Sequence, residues 1–183
     1  MRIKNSVLLL GISVAMTLFF VAPSSMAAQP KPGTHAPMIT STFAVEKGYQ
    51  GYIWKIYLEA EDPDGDMLRI ASVAEQPGFA HPFTDWIFIK SPYQKHFKGY
   101  IQWNIGQGPQ YLWPYTHITL NVSIQDKAGN WSNEVIFPFA FQEGIDSTDY
   151  RLPAPFDQGE LAKIGNVFID IYQNPQTGVR REH

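Results

Sequence analysis

The chain of 183 residues contains no cysteine. That absence removes thiol nucleophiles, thiolate metal sites, covalent haem attachment and disulfide staples together. A fold in an oxidising compartment must then be held by burial alone, which a domain of this size can supply. Basic residues are also scarce. Fourteen Lys and Arg stand against 17 Asp and Glu, a formal charge of −3. No Lys/Arg cluster breaks that balance, so nucleic-acid binding, which needs a basic face, is excluded. Sustained helical periodicity is missing beyond residue 28, where Gly and Pro interrupt every candidate segment.

Catalytic signatures are missing as well. There is no G-x-S-x-G elbow and no Gly-rich phosphate loop after a strand. The five histidines, His35, His81, His96, His117 and His183, never pair at a metal-ligand spacing such as H-x-x-x-H. These absences point away from an enzyme.

What is present begins at the N-terminus. Arg2 and Lys4 precede an uncharged apolar run from Val7 to Val21, which Pro23, Ser24 and Ser25 break. Ser25-Met26-Ala27 then supplies the small residues a signal peptidase reads, predicting a signal peptide over 1–28 cut after Ala27 or Ala28. Fifteen apolar residues are fewer than the roughly 20 a spanning helix needs, so no transmembrane segment is expected after cleavage. Losing Arg2 and Lys4 leaves 12 basic against 17 acidic residues, a net charge of −5.

Residues 29–37 read as a Pro-rich leader, and period two takes over from Met38. Tyr52, Trp54, Ile56, Leu58 and Ala60 share one face, with Lys55, Tyr57 and Glu59 on the other. Ile118, Leu120, Val122 and Ile124 repeat the pattern, and Asp126-Lys127-Ala128-Gly129-Asn130 turns the chain into Val135, Phe137, Phe139 and Phe141. That is a β-hairpin, with a free or irregular edge expected at Pro138, which has no N–H to give. Further strands are expected at Ile39–Val45, Met67–Val73, Trp86–Lys90 and Tyr100–Asn104. Trp86, Phe88, Ile101 and Trp103 are expected to fill the core. About seven short strands over 38–143 predict an all-β, immunoglobulin-like Greek-key β-sandwich. Residues 144–183 form a C-terminal extension: Gly144 to Gly159 reads as a linker or strap, and Val167, Ile169 and Ile171 as an extra strand. That strand would either return to the sandwich edge or be offered to another chain.

Two turns carry a family resemblance. Glu61-Asp62-Pro63-Asp64-Gly65-Asp66, followed by Leu68, resembles the acidic turn of Ig-like and cadherin-like modules in bacterial exported proteins. Asp126 to Asn133 resembles the hairpin turn before the last strand of the same modules. The resemblance covers roughly residues 38–143 and implies the fold and a periplasmic or secreted bacterial location. The Cys…Trp…Cys pattern of antibody-type domains is absent, and the module occurs once. Spacers, adhesins and accessory domains all use such modules, so fold does not assign function.

Three constellations remain to be weighed. Asp62, Asp64 and Asp66 place carboxylates at alternate positions, suited either to Ca²⁺ or to a turn that bonds its own backbone. The glycine is misplaced for an EF-hand. Between Phe79 and Tyr115 lie eleven aromatic residues; Tyr93, Tyr111, Trp113 and Tyr115 sit among Gly and Pro, as a loop patch or a satellite core. Val167, Ile169 and Ile171 are candidates for adding a strand to a partner's sheet. The chain is therefore expected to be a non-enzymatic binding module of the bacterial envelope, needing no cofactor unless Ca²⁺ binds. Its expected partner is another envelope protein or a glycan, the alternatives being a carbohydrate-binding accessory domain and a calcium-stabilised adhesion module. Oligomeric state is not legible.

Overall fold

The computed structural model describes residues 35–49, 51–77, 82–105, 117–142 and 150–171. The predicted signal peptide lies outside the described residues, as do residues 29–34 of the leader. Among the described residues there are nine strands: β1 (Met38–Ala44), β2 (Lys47–Gly48), β3 (Ile53–Glu61), β4 (Met67–Glu75), β5 (Phe83–Phe88), β6 (His96–Asn104), β7 (His117–Asp126), β8 (Val135–Phe141) and β9 (Ala162–Val167). They form two sheets, sheet A in the order β1-β3-β6-β9 and sheet B in the order β2-β8-β7-β4-β5. This is an immunoglobulin-like sandwich in which β1 and β2 are one edge segment passing from sheet A to sheet B.

The core is built by the alternations read from the sequence. Trp54, Ile56, Leu58 and Ala60 of β3 and Ile118, Leu120, Val122 and Ile124 of β7 are all buried, and Phe137, Phe139 and Phe141 close over them. Each fully buried apolar side chain contributes about 1.5–3 kcal/mol, and their sum replaces the missing disulfide. Trp54 and Trp103 pair across β3 and β6, and Trp54 reaches Phe139 of the facing sheet at 4.6 Å between ring centres. Both indole N–H groups are satisfied, Trp54 donating to the Val45 carbonyl at 2.8 Å and Trp103 to the Ile169 carbonyl at 3.0 Å. Two large amphipathic side chains are therefore buried without stranding a donor.

The β7–β8 hairpin closes through its own polar residues. The Asp126 carboxylate accepts from the Asn130 backbone N–H at 2.7 Å and from its Nδ2 at 2.8 Å. Gly129 turns the chain at φ +94°, a left-handed conformation that suits glycine. Within β8 the N–H groups of even-numbered residues point to the β2 side, since Ala140 and Gln142 donate to Glu46 and Gly48. β2 pairs only with Ala140 and Phe141, so the missing N–H of Pro138 falls where no strand follows.

Three sequence expectations need correction. Trp86 and Phe88 do not fill the core: they are 38% and 65% exposed, while Ile87 and Ile89 are buried. Both phases of this segment are apolar, and pairing with Ile70 of β4 selects the Ile87 phase. β6 starts at His96, not Tyr100, because the apolar side chain of Phe97 extends the inward row past Lys98 and Gly99. The last strand lies at Ala162–Val167 rather than Val167–Ile171 and returns to its own sandwich, parallel to β6. Val167 and Ile169 are buried and Ile171 packs beside them, so these residues complete this chain's core.

The segment before β9 is a strap over the outer face of sheet A. Phe156 is buried against Tyr57, with ring centres 5.8 Å apart. Tyr150 packs on Phe43 at 5.6 Å, and its hydroxyl meets that of Tyr57 at 3.2 Å. The Lys98 ammonium donates to the carbonyls of Pro155 and Gln158. Sheet A is consequently covered on both faces. Sheet B has no such cover among the described residues.

Candidate functional site

The open outer face of sheet B is organised in rows, because directly opposed residues of neighbouring strands share a face. One row runs Trp131, Gln125, Arg69 and Phe88, and the next runs Ser123, Ala71 and Trp86. Strand spacing makes the four-residue row about 14 Å wide. Along β7 the outward residues are Thr119, Asn121, Ser123 and Gln125, all uncharged hydrogen-bonding groups at half-buried positions.

Turn chemistry aims Trp131. The Ser132 N–H donates to the Ile124 carbonyl at 2.8 Å, and the Ile124 N–H donates to the Ser132 hydroxyl at 2.9 Å. That pair holds the chain against β7 one residue beyond Trp131. The indole lies 5.9 Å from that of Trp86 between ring centres, and the residues in register with Trp86 on β4 and β7 are the small Ala71 and Ser123. Ala71, although on the outer face, is 3% exposed. The Arg69 guanidinium carbon lies 3.8 Å from the Trp86 ring centre, and Nε and Nη2 both donate to the Gln125 carboxamide oxygen, at 3.0 and 2.8 Å. The result is a ladder of Trp131, Trp86, Arg69 and Gln125. Trp131 remains 43% exposed, and Phe88 and Ile136 (61% exposed) flank the ladder.

The predicted site residues fall elsewhere. The acidic turn spends Asp62 on itself: its carboxylate accepts from the backbone N–H groups of Asp64 and Asp66, both at 3.1 Å. Asp64 turns outward to His35, whose backbone N–H and ring Nδ1 contact its carboxylate. The backbone N–H of His35, then its side chain, hold the Asp64 carboxyl below the usual aspartate range. Asp66 moves the other way, raised first by burial, then by its hydrogen bond with Asp62 and the charges of Asp126, Asp62 and Asp64. Among the described residues no group of three or more His, Asp or Glu is placed to hold a metal ion.

Of the aromatic patch, Tyr93 lies in a short 3-10 turn, Ser91–Tyr93, half-buried against the core. Tyr111, Trp113 and Tyr115 lie outside the described residues. Where β6 and β9 end, a cleft of about 370 Å³ is lined by residues that include Asn104, Lys163, Asn166, Phe168 and Asp170. Among the described residues no Ser, His or Cys lines it. No helix among the described residues is long and apolar enough to cross a membrane.

Sequence reasoning missed the open face. Its usable signal was Trp131, a large aromatic directly after a tight polar turn, where no core position is available.

No family model matches the chain, and no curated protein matches it. Among solved structures it is similar to the PKD domain of an M14-like peptidase from a Thermoplasmatales archaeon. That likeness has 15% identity and a TM-score of 0.41, over 60% of this chain and 99% of that one. A likeness of that depth carries nothing about ligand or partner.

Proposed function

We propose that the protein is a non-enzymatic binding module of the bacterial envelope, exported by its N-terminal segment, whose contact surface is the outer face of sheet B. The supporting observation is the asymmetry of the sandwich. Sheet A is covered by its own strap, while sheet B presents Trp86, Phe88, Trp131 and Ile136 to solvent. Exposed aromatic side chains grouped around an arginine are the residue types that anchor interfaces, since they bury large area at low entropic cost. A sheet face that only needed solubility would carry charged residues there. The C-terminal strand is a weaker candidate for contact, because Val167 and Ile169 are already committed to the core.

The test is in-cell photo-crosslinking with the probe residue at position 88 or 136, and at position 168 as an exposed control outside the face. Discrete crosslinked envelope species from 88 and 136, lost in a Trp131→Ala background and absent at 168, are the expected result. Equal labelling at all three positions would sink the assignment of the face.

A further inference from the structure

The cation of the open face has no counter-ion among the described residues. Among the described residues the ion pairs are His35 with Asp64 and His96 with Glu59, and neither involves Arg69. Arg69 is half-buried, stacked on Trp86 and gripped by one neutral acceptor, Gln125. Of its five N–H donors, Nε and one on Nη2 are engaged, which leaves three. Stacking and the Gln125 bond fix the plane of the guanidinium, so the ordering cost of a bidentate contact is already met before a ligand arrives. In a chain with excess negative charge, this pre-set cation is a local feature and not part of a basic surface.

We infer that this face binds an acidic polysaccharide, one bearing carboxylates on its sugar rings. The inference rests on the reading of the sheet B face as the contact surface, and names its ligand class. A uronate carboxylate meets the free edge of Arg69 in the bidentate geometry that guanidinium favours. The sugar ring's C–H face lies on the exposed indole of Trp131 beside it. Hydroxyls of the next units meet Ser123, Asn121 and Thr119, the polar row of β7. A protein partner would ask for an apolar centre with a polar rim. Here the two indoles share the centre with Arg69, Gln125 and the polar side chains of β7, and the purely apolar groups, Phe88 and Ile136, lie at the two sides.

The test uses the whole mature chain in affinity electrophoresis and intrinsic tryptophan fluorescence. The probes are polygalacturonate, a neutral glucan and poly-L-glutamate. Polygalacturonate should retard the protein and change its fluorescence, with Kd raised at least tenfold by Arg69→Gln and by Trp131→Ala. Binding should weaken with salt and leave Phe168→Ala unaffected. Thermal melts of each variant establish that it is folded, and Arg69→Lys, which keeps charge but loses the fork, should recover only part of the affinity. No binding of polygalacturonate, or binding equal for wild type and Arg69→Gln, overturns the inference. So does equal affinity for the neutral glucan. Retention by polyglutamate alone assigns the face to an acidic peptide instead. If polygalacturonate fails while the crosslinks at 88 and 136 persist, the contact surface stands and only its ligand class falls.

Discussion

The carboxamide of Asn133 bonds both backbone groups of Ile39: the Ile39 N–H donates to Oδ1 at 2.9 Å, and Nδ2 donates to the Ile39 carbonyl at 3.1 Å. One side chain thus joins the first strand of sheet A to the turn that leads into β8 of sheet B, across 94 positions of sequence. It also occupies ladder groups that an edge strand would otherwise offer to another chain.

Asn133→Ala removes two hydrogen bonds and leaves partly buried backbone groups of Ile39 without partners. The cost is about 1–3 kcal/mol, read as a melting temperature lower by roughly 2–10 °C. The edge at β1 also becomes available, so the variant should aggregate faster near its transition. A melting temperature within 1 °C of wild type, a threshold of about 0.3 kcal/mol, would show that the Asn133 clip carries no stability.

Asp66 sets a pH dependence of known sign. Burial and the neighbouring carboxylates raise its pKa in the folded protein above the ordinary 3.8. The folded state therefore holds the proton more tightly than the unfolded chain, and stability is lost as pH rises from that ordinary value through the folded one. Once ionised, the Asp66 carboxylate is a charge held against its surroundings, with Oδ1 buried and without a hydrogen-bond partner among the described residues. Asp66→Asn should raise the melting temperature at pH 7 and remove this part of the decline. Asp64, lowered by His35, contributes the opposite slope, so the difference between Asp66→Asn and wild type isolates Asp66. A variant curve parallel to wild type from pH 3 to 7 would contradict the assignment.

Gly165 governs the docking of β9. A Cβ on this residue would stand 2.3 Å from Cγ2 of Ile87, a buried side chain of the facing sheet. Gly165→Ala should cost about 1–3 kcal/mol through overpacking. Ile87→Val does not relieve it in full, because Val keeps a Cγ2 methyl, whereas Ile87→Ala in the Gly165→Ala background should recover part of the loss. Additive destabilisation in the double variant would show that the two residues do not meet.

Legibility in the sequence followed how many phases of each strand were apolar. β3, β7 and β8 alternate cleanly, and their buried faces are those the sequence predicts. β5 is apolar in both phases, so the sequence alone points Trp86 inward, although its partner on β4 is Ala71, on the outer face. The open face was illegible for the same reason: its ladder joins Arg69, Trp86 and Trp131, whose proximity depends on register across three strands. β9 carries Lys163, Gly165 and Asn166, which dilute the strand signal until pairing with β6 supplies it. The strap needed a contact between Phe156 and Tyr57, 99 positions apart, that no local pattern announces. Asp62 and Asp126 bond the backbone of their own turns, a local effect of the kind a sequence can carry.

Two phenylalanines twelve positions apart in the extension should respond in opposite ways. Phe156, on the strap's inner side, is 2% exposed, whereas Phe168 is 81% exposed. Phe156→Ala should cost about 3–5 kcal/mol, the transfer of a ring plus the cavity it leaves. Phe168→Ala should stay within about 0.5 kcal/mol of wild type. A second readout separates loosening of the strap from global unfolding. The Tyr150 phenol is pushed up to about 12, first by burial and then by the Tyr57 hydroxyl. Below pH 10 that neutral phenol costs nothing, and its stabilising effect is lost as pH climbs from 10 through 12. In Phe156→Ala the strap lifts and Tyr150 meets water, so its ultraviolet titration should move down toward 10 while the sandwich stays folded. A destabilised variant in which Tyr150 still titrates near 12 would mean that Phe156 fills space in the fold but does not hold the strap to sheet A.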